Sequence, residues 1–172
     1  MTSADDRRVI EVQIGRPLRA DSRVVVRCHL DMPVVLEVPP HLDDGTPFPT
    51  LYWLTCPLAN SRIGRLEGAG GVKRMEAKAE SDPVFGAALD AAHLAYATAR
   101  QNRTTRSEGP QPSGGVGGAA TGVKCLHAHY AHAAAGGDNP VGELVADWVE
   151  PLDCRVRCVV DGVLNPEWSS TP

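Results

Sequence analysis

Alternating hydrophobic and polar positions predict short β-strands in the first third of the chain. In residues 23–30 apolar side chains fall on every second position, and the same pattern returns in residues 34–38. Met32 and Pro33 separate the two runs, which therefore predict a hairpin. Residues 9–14 also alternate and predict a short edge strand.

A strand-to-helix junction is predicted around Cys56. Residues 50–55 are apolar on both faces, as in a central strand. Pro57 suits the first position of a helix over residues 58–67, because a backbone donor is not needed there. Cys56 is then the N-cap, where the helix dipole should lower the pKa of the thiol and favour the thiolate.

Helical spacing of apolar positions predicts two further helices in the middle of the chain. The first covers residues 72–80, and the second runs from Pro83 to about residue 103. In the longer helix, His93 and Tyr96 are expected in the core and Arg100 in solvent.

The last third of the chain combines a loop, two helices and a strand. Residues 107–121 are rich in glycine, proline and serine, which predicts a mobile loop or linker. Helices are predicted over residues 123–135 and 140–148, and alternation in residues 153–160 predicts a last strand.

These elements predict a single α+β domain, with a small, mostly antiparallel sheet packed against several helices. The chain has 172 residues, the size of one ordinary domain. The domain is expected to cover residues 9–163, after a polar N-terminal lead at residues 1–8 and before an irregular tail at residues 164–172.

Charge and composition exclude several broad classes of function. The net charge of −4 argues against a general nucleic-acid binder, and no apolar run is long enough to predict a membrane span. The polar N-terminus is unlike a signal peptide, so a cytoplasmic location is expected. The five cysteines are then predicted to be thiols or metal ligands, with Cys154 and Cys158 in the core.

The densest cluster of side chains that can bind metal lies between Cys125 and His132, where one cysteine and three histidines fall within eight residues. If this segment is helical from Val123, then Cys125, His129 and His132 share one face within an arc of about 60°. Thiolate and imidazole are preferred ligands of zinc, and Cys56 would supply the fourth. This predicts a metal-binding protein that holds zinc, or iron if His127 replaces His132.

Three other interpretations remain open. Cys125 and the histidines could be ordinary core and surface residues. Cys56 could be the nucleophile of a thiol-dependent enzyme with a histidine base and an anionic substrate. A cofactor-free interaction module could bind an acidic protein through a basic sheet face, whose residues would be Arg23, Arg27, His29, Arg155 and Arg157.

Three sequence blocks resemble one bacterial family. They are residues 48–57 (FPTLYWLTCP), 123–129 (VKCLHAH) and 137–142 (GDNPVG). Together they are similar to the family called domain of unknown function 501, over roughly residues 45–145. The resemblance implies no activity, substrate or cofactor, so function rests on the residues themselves.

Overall fold

The computed structural model describes residues 2–106 and 108–170, which fold as a single α+β domain, as predicted. The helices are α1 (Ala4–Ile14), α2 (Pro57–Gly68), α3 (Gly71–Ser81), α4 (Pro83–Gln101), α5 (Leu126–Ala134) and α6 (Pro140–Val149), with one turn of 3-10 helix at Val116–Gly118. The strands are β1 (Arg23–Arg27), β2 (Pro33–Glu37), β3 (Tyr52–Leu54), β4 (Val159–Val160) and β5 (Val163–Leu164). Met1, Ser107, Thr171 and Pro172, which belong to the predicted lead, loop and tail, lie outside the described residues.

The N-terminal segment is a helix, so the prediction of a strand at residues 9–14 is wrong. Ser3 caps α1 by accepting the backbone N–H of Asp6 at 3.1 Å. Gly15 ends the helix in the left-handed conformation that glycine adopts without strain. These two capping signals favour a helix over the strand that the alternation predicted. Ile10 is the one fully buried residue of α1, so the alternating apolar positions do not form a buried face.

The main sheet is antiparallel, with the order β1-β2-β3. The predicted hairpin of β1 and β2 is confirmed. The central strand is β2, however, and β3 lies at the edge, contrary to the prediction for residues 50–55. Both faces of β2 are covered, because Val35 packs in the core formed with α2, α5 and α6, whereas Leu36 packs with Ile10 of α1.

The helices begin close to where the sequence places them. Pro57 is the first residue of α2, and Asp82 caps α4 by accepting two backbone N–H groups. Asn139 caps α6 by accepting one backbone N–H group, that of Gly142. Capping and proline preferences depend on a few neighbouring residues, so they predict helix starts well. Strand boundaries depend on pairing with distant residues and are harder to predict.

The predicted last strand at residues 153–160 is wrong. Only Val159–Val160 is extended and paired, and its partner is β5 in a separate two-stranded sheet. The residues before it run irregularly along the main core, where Leu152 is buried. None of the described helices is both long and apolar enough to cross a membrane.

The glycine-rich segment is anchored to the core rather than being a free linker. Val116 is completely buried, and its backbone N–H donates to Nδ1 of His93 at 3.0 Å. Arg100, predicted to be exposed, is only 4% exposed and donates to the carbonyl oxygens of Pro49 at 3.0 Å and Gly114 at 2.5 Å. The guanidinium group is buried because these carbonyls replace its water.

Replacement of Arg100 by methionine is expected to destabilise the fold and release the segment that Gly114 begins. Two carbonyl oxygens lose their donors, which should lower the free energy of unfolding by about 2–4 kcal/mol. Urea denaturation measures the loss, and limited proteolysis should show earlier cleavage within residues 104–121. The exposed Arg65→Met serves as the matched control, and equal effects of both variants would contradict the assignment.

Candidate metal centre

Cys125 is the N-cap of α5, and its backbone is extended, with φ −159° and ψ 124°. The helix starts at Leu126 rather than at Val123. The predicted face shared by Cys125, His129 and His132 is therefore wrong, because it required a helical Cys125.

The sulfur of Cys125 instead meets His127 and Glu67. Its Sγ lies 3.6 Å from Nδ1 of His127, and the same nitrogen lies 3.2 Å from Oε1 of Glu67. Glu67 belongs to the last turn of α2, and this oxygen also accepts the backbone N–H of Leu126 at 2.6 Å. Within the described part of the chain, no other group of three or more His, Cys, Asp or Glu side chains brings all its ligand atoms within 4.8 Å of one another.

Hydrogen bonding decides which nitrogen of His127 faces this group. Nε2 donates to the carbonyl oxygen of Asn60 at 3.3 Å, so the neutral ring has a free lone pair on Nδ1. Burial opposes the charged ring, but the hydrogen bond to Cys125 and the charges of Cys125 and Glu67 outweigh it and raise the pKa of His127 to about 9. Nδ1 of His127 therefore faces the carboxylate of Glu67 and the sulfur of Cys125. A metal cation can replace the proton at this nitrogen.

Two separations within the group match edges of a zinc coordination tetrahedron. Bonds of about 2.3 Å to sulfur and about 2.05 Å to nitrogen put these two ligands about 3.6 Å apart, and nitrogen and oxygen ligands about 3.4 Å apart. The observed distances are 3.6 Å and 3.2 Å. The same distances also suit hydrogen bonds between the three side chains, so the group can be filled by a proton or by a metal.

His129 and His132 lie on the buried side of α5, joined by Asn139. Nδ1 of His129 lies 3.1 Å from Oδ1 of Asn139, and Nδ2 of Asn139 lies 3.1 Å from Nδ1 of His132. The same oxygen accepts the backbone N–H of Gly142 at 2.9 Å, which identifies it as the amide oxygen. Nδ1 is therefore protonated in His129 and unprotonated in His132.

The tertiary structure leaves both rings neutral. Burial lowers the pKa of His129 and of His132 to about 4. His132 stacks on Tyr52, with ring centroids 5.8 Å apart. Nε2 of His129 is buried without a hydrogen-bond partner among the described residues. The two histidines thus connect α5 to the start of α6 through Asn139.

Cys56 occupies the N-cap of α2 as predicted, but the residue is buried, with 6% of its surface exposed. Burial raises its pKa to about 12, against the opposing effect of two backbone N–H groups of α2. The predicted lowering of the pKa is wrong, because desolvation outweighs the helix dipole. Cys56 lines a small cavity with Cys28, Cys154 and Cys158.

The structure thus divides the four predicted ligands among three places. Cys125 joins Glu67 and His127, while His129 and His132 join Asn139 and Cys56 joins the other cysteines. The sequence pattern of a cysteine and a histidine two residues apart was visible. Glu67 was not, because only the packing of α2 on α5 brings it there.

Cys56 also lacks the surroundings of a thiol nucleophile. Arg62, six residues after Cys56 in the chain, could bind an anionic substrate only if its guanidinium group were unoccupied. The guanidinium group instead donates to the carbonyl oxygens of Val149 and Pro151 and to Oδ1 of Asp153, each at 2.6 Å. The neutral thiol and this occupied arginine argue against catalysis by Cys56.

The predicted basic sheet face does not form as expected. Arg155 and Arg157 lie in irregular chain before β4, outside the main sheet. The two arginines of β1 are paired, with Arg23 3.2 Å from Glu37 and Arg27 2.7 Å from an aspartate of α1. Acidic neighbours thus already compensate the part of the face that exists.

Stability is expected to fall as the pH drops below about 6.5, because His129 and His132 are neutral in the fold. Their pKa values there are about 4, below the unfolded value of 6.5, so the unfolded chain takes up protons first. Their contribution is fully present above pH 6.5 and is lost down to pH 4, at up to about 1.4 kcal/mol per pH unit for each ring. Urea denaturation at a series of pH values measures this slope.

The His129→Asn variant separates this titration from packing. It should be less stable at pH 7, since it loses a buried ring, but its stability should depend less on pH. His41→Asn, outside the network, should keep the wild-type slope. An unchanged slope in His129→Asn would show that this ring does not titrate on unfolding.

Comparison with known proteins identifies a family without assigning an activity. The family described as "Protein of unknown function (DUF501)" matches residues 24–147, which include Glu67, Cys125 and His127. Neither a curated protein nor a solved structure matches the chain. By this match, and as its sequence blocks predicted, the chain belongs to the DUF501 family.

Proposed function

We propose that this protein binds a divalent transition-metal ion, zinc in the first place, through Glu67 Oε1, Cys125 Sγ and His127 Nδ1. The observation that carries the proposal is the convergence of these three ligand atoms within 4.8 Å. One thiolate, one imidazole and one carboxylate form a donor set that suits zinc. The prediction of a metal-binding protein is thus kept, with a different set of ligands around Cys125.

The surroundings of the three ligands support the proposal. Metal-binding histidines usually donate their second nitrogen to a carbonyl oxygen, as His127 does to Asn60. Glu67 is oriented by the Leu126 N–H, which belongs to the first turn of α5. All five cysteines are free thiols, a state that a reducing compartment such as the cytoplasm maintains.

A site with three protein ligands leaves one position of a tetrahedral ion for water or for a ligand. Glu67, Cys125 and His127 are each partly exposed, so solvent reaches this position. We propose that it accepts a small anionic ligand with an oxygen donor, because a zinc ion with one thiolate and one carboxylate is close to neutral and still a Lewis acid. This extends the proposal from a structural ion to a reactive or regulatory one.

Zinc protection of Cys125 against alkylation tests the proposal at one residue. In metal-free protein, the partly exposed thiol should react with iodoacetamide, and zinc should suppress that reaction because the sulfur becomes a ligand. Mass spectrometry of the peptide that contains Cys125 follows the rate. In Glu67→Gln and His127→Gln, the zinc concentration needed for protection should rise at least about tenfold.

The exposed Glu76→Gln on α3 is the matched control and should protect like the wild type. Circular dichroism before and after zinc addition shows that each variant is folded. Zinc that leaves the alkylation rate of Cys125 unchanged would overturn the proposal, whatever metal the protein holds elsewhere.

The Cys125–His127 contact also supports a second candidate function, thiol chemistry. The sulfur and Nδ1 lie 3.6 Å apart, so a histidine is within reach of the thiol as its base. A nucleophilic role would therefore fall to Cys125 rather than to Cys56. Rapid alkylation of Cys125 below pH 7 that zinc does not prevent would favour this function over metal binding.

A further inference from the structure

Four of the five cysteines surround one small cavity. Cys28, Cys56, Cys154 and Cys158 all line it, and its volume of about 10 Å³ is close to what one water molecule needs. Its other walls are mostly apolar and include Leu30, Met32, Leu58, Leu152 and Trp168. A single buried cysteine usually behaves as a small hydrophobic residue. Four cysteines around one cavity are also the set of donors that a thiophilic metal prefers.

These thiols come from three distant parts of the chain. Cys28 follows β1, Cys56 precedes α2, and Cys154 and Cys158 lie between α6 and β4. Nε2 of His29 donates to the carbonyl oxygen of Cys154 at 2.9 Å, which fastens the first part to the last. Tertiary structure alone therefore assembles the group.

Arg62 of α2 holds the segment that contains Cys154 against that helix. Its guanidinium group donates to the carbonyl oxygens of Val149 and Pro151, at 2.6 Å each. It also donates to Asp153, next to Cys154 in the chain, at 2.6 Å. The chain beside Cys154 is thus held against α2, the helix that begins after Cys56.

Side-chain hydrogen-bond donors point at two of the four sulfurs. Nε1 of Trp168 donates to Sγ of Cys154 at 3.3 Å, and Nε2 of Gln13 donates to Sγ of Cys158 at 3.5 Å. Cys56 stands at the N-cap of α2, where the positive end of the helix dipole also favours a thiolate. A neutral thiol is a weak acceptor, whereas donors of this kind stabilise thiolate bound to a metal.

We propose that Cys28, Cys56, Cys154 and Cys158 form a four-thiolate site for a thiophilic metal centre, separate from the group around Cys125. Four cysteine sulfurs select zinc or iron, the latter as an iron–sulfur cluster. Each thiol releases its proton to solvent as its sulfur binds the metal, and no electron is transferred when a divalent ion or a preformed cluster enters by ligand exchange.

The distances between the sulfurs bear on which centre is bound. No three of these sulfurs lie within 4.8 Å of one another, judged over the described residues. Around one tetrahedral zinc, neighbouring sulfurs are about 3.8 Å apart, so the side chains would have to turn inward. An iron–sulfur cluster distributes its cysteines over several irons and keeps them farther apart, but it needs a larger cavity.

The site also has a consequence for the fold. Cys28 and Cys56 lie within the family-matched residues 24–147, whereas Cys154 and Cys158 lie beyond them. A bound metal would fasten the segment after α6 to the sheet and to α2. Its occupation should therefore raise the midpoint of thermal unfolding.

Metal content tests the site in untagged protein purified without oxygen or added metal. We expect Cys125→Ser, which removes the thiolate of the Glu67 site, to retain one equivalent of zinc, or an iron–sulfur cluster with acid-labile sulfide and visible absorption, and the double variant Cys125→Ser/Cys154→Ser to lose it. Cys125→Ser is the matched control because it removes the cysteine outside the cavity. Loss of metal in Cys125→Ser alone would overturn this site while leaving the Glu67 site intact.

X-ray absorption of metal-loaded Cys125→Ser protein covers the case in which the double variant does not fold. A first shell of four sulfurs supports the site, with a further shell of iron if the centre is a cluster. A first shell that contains nitrogen or oxygen overturns it. Folded Cys125→Ser protein that takes up neither zinc nor, when supplied with iron and sulfide, a cluster also overturns it.

Discussion

The hydrogen bond from the Leu126 N–H to Glu67 is the contact on which the centre of the molecule depends. It supplies α5 with a cap that Cys125 does not provide, and it joins α5 to the end of α2. A carboxylate at a helix N-terminus also balances the positive end of the helix dipole. The same oxygen lies beside Nδ1 of His127, so the contact that positions the helix also assembles the candidate metal centre.

Buried polar groups organise the remainder of the helical layer. Asn139 caps α6 and bridges His129 to His132, and Arg100 binds the glycine-rich segment to α4. Each group is buried with its partners in place, which avoids the cost of an unpaired polar atom. Nε2 of His129 is an exception among the described residues.

The cysteines divide into two environments with different chemistry. Cys125 is partly exposed beside a carboxylate and a histidine whose pKa is raised. The other four surround an apolar cavity, where burial raises the pKa of Cys56 and Cys158 and keeps both neutral in the absence of a metal. A protein with both sites would bind one ion that solvent reaches and one centre that holds the fold together.

Features that depend on near neighbours in the chain could be predicted from the amino-acid pattern. It placed the β1–β2 hairpin, Pro57 at the start of α2 and Asn139 at the start of α6, because turn and capping preferences act over a few residues. It also identified the family. The segment around Cys125 remains a candidate site. Tertiary structure alone decided which strand is central, how Cys56 is desolvated and which carboxylate meets Cys125. Those outcomes depend on packing between residues far apart in the chain, and local patterns carry no information about such distances.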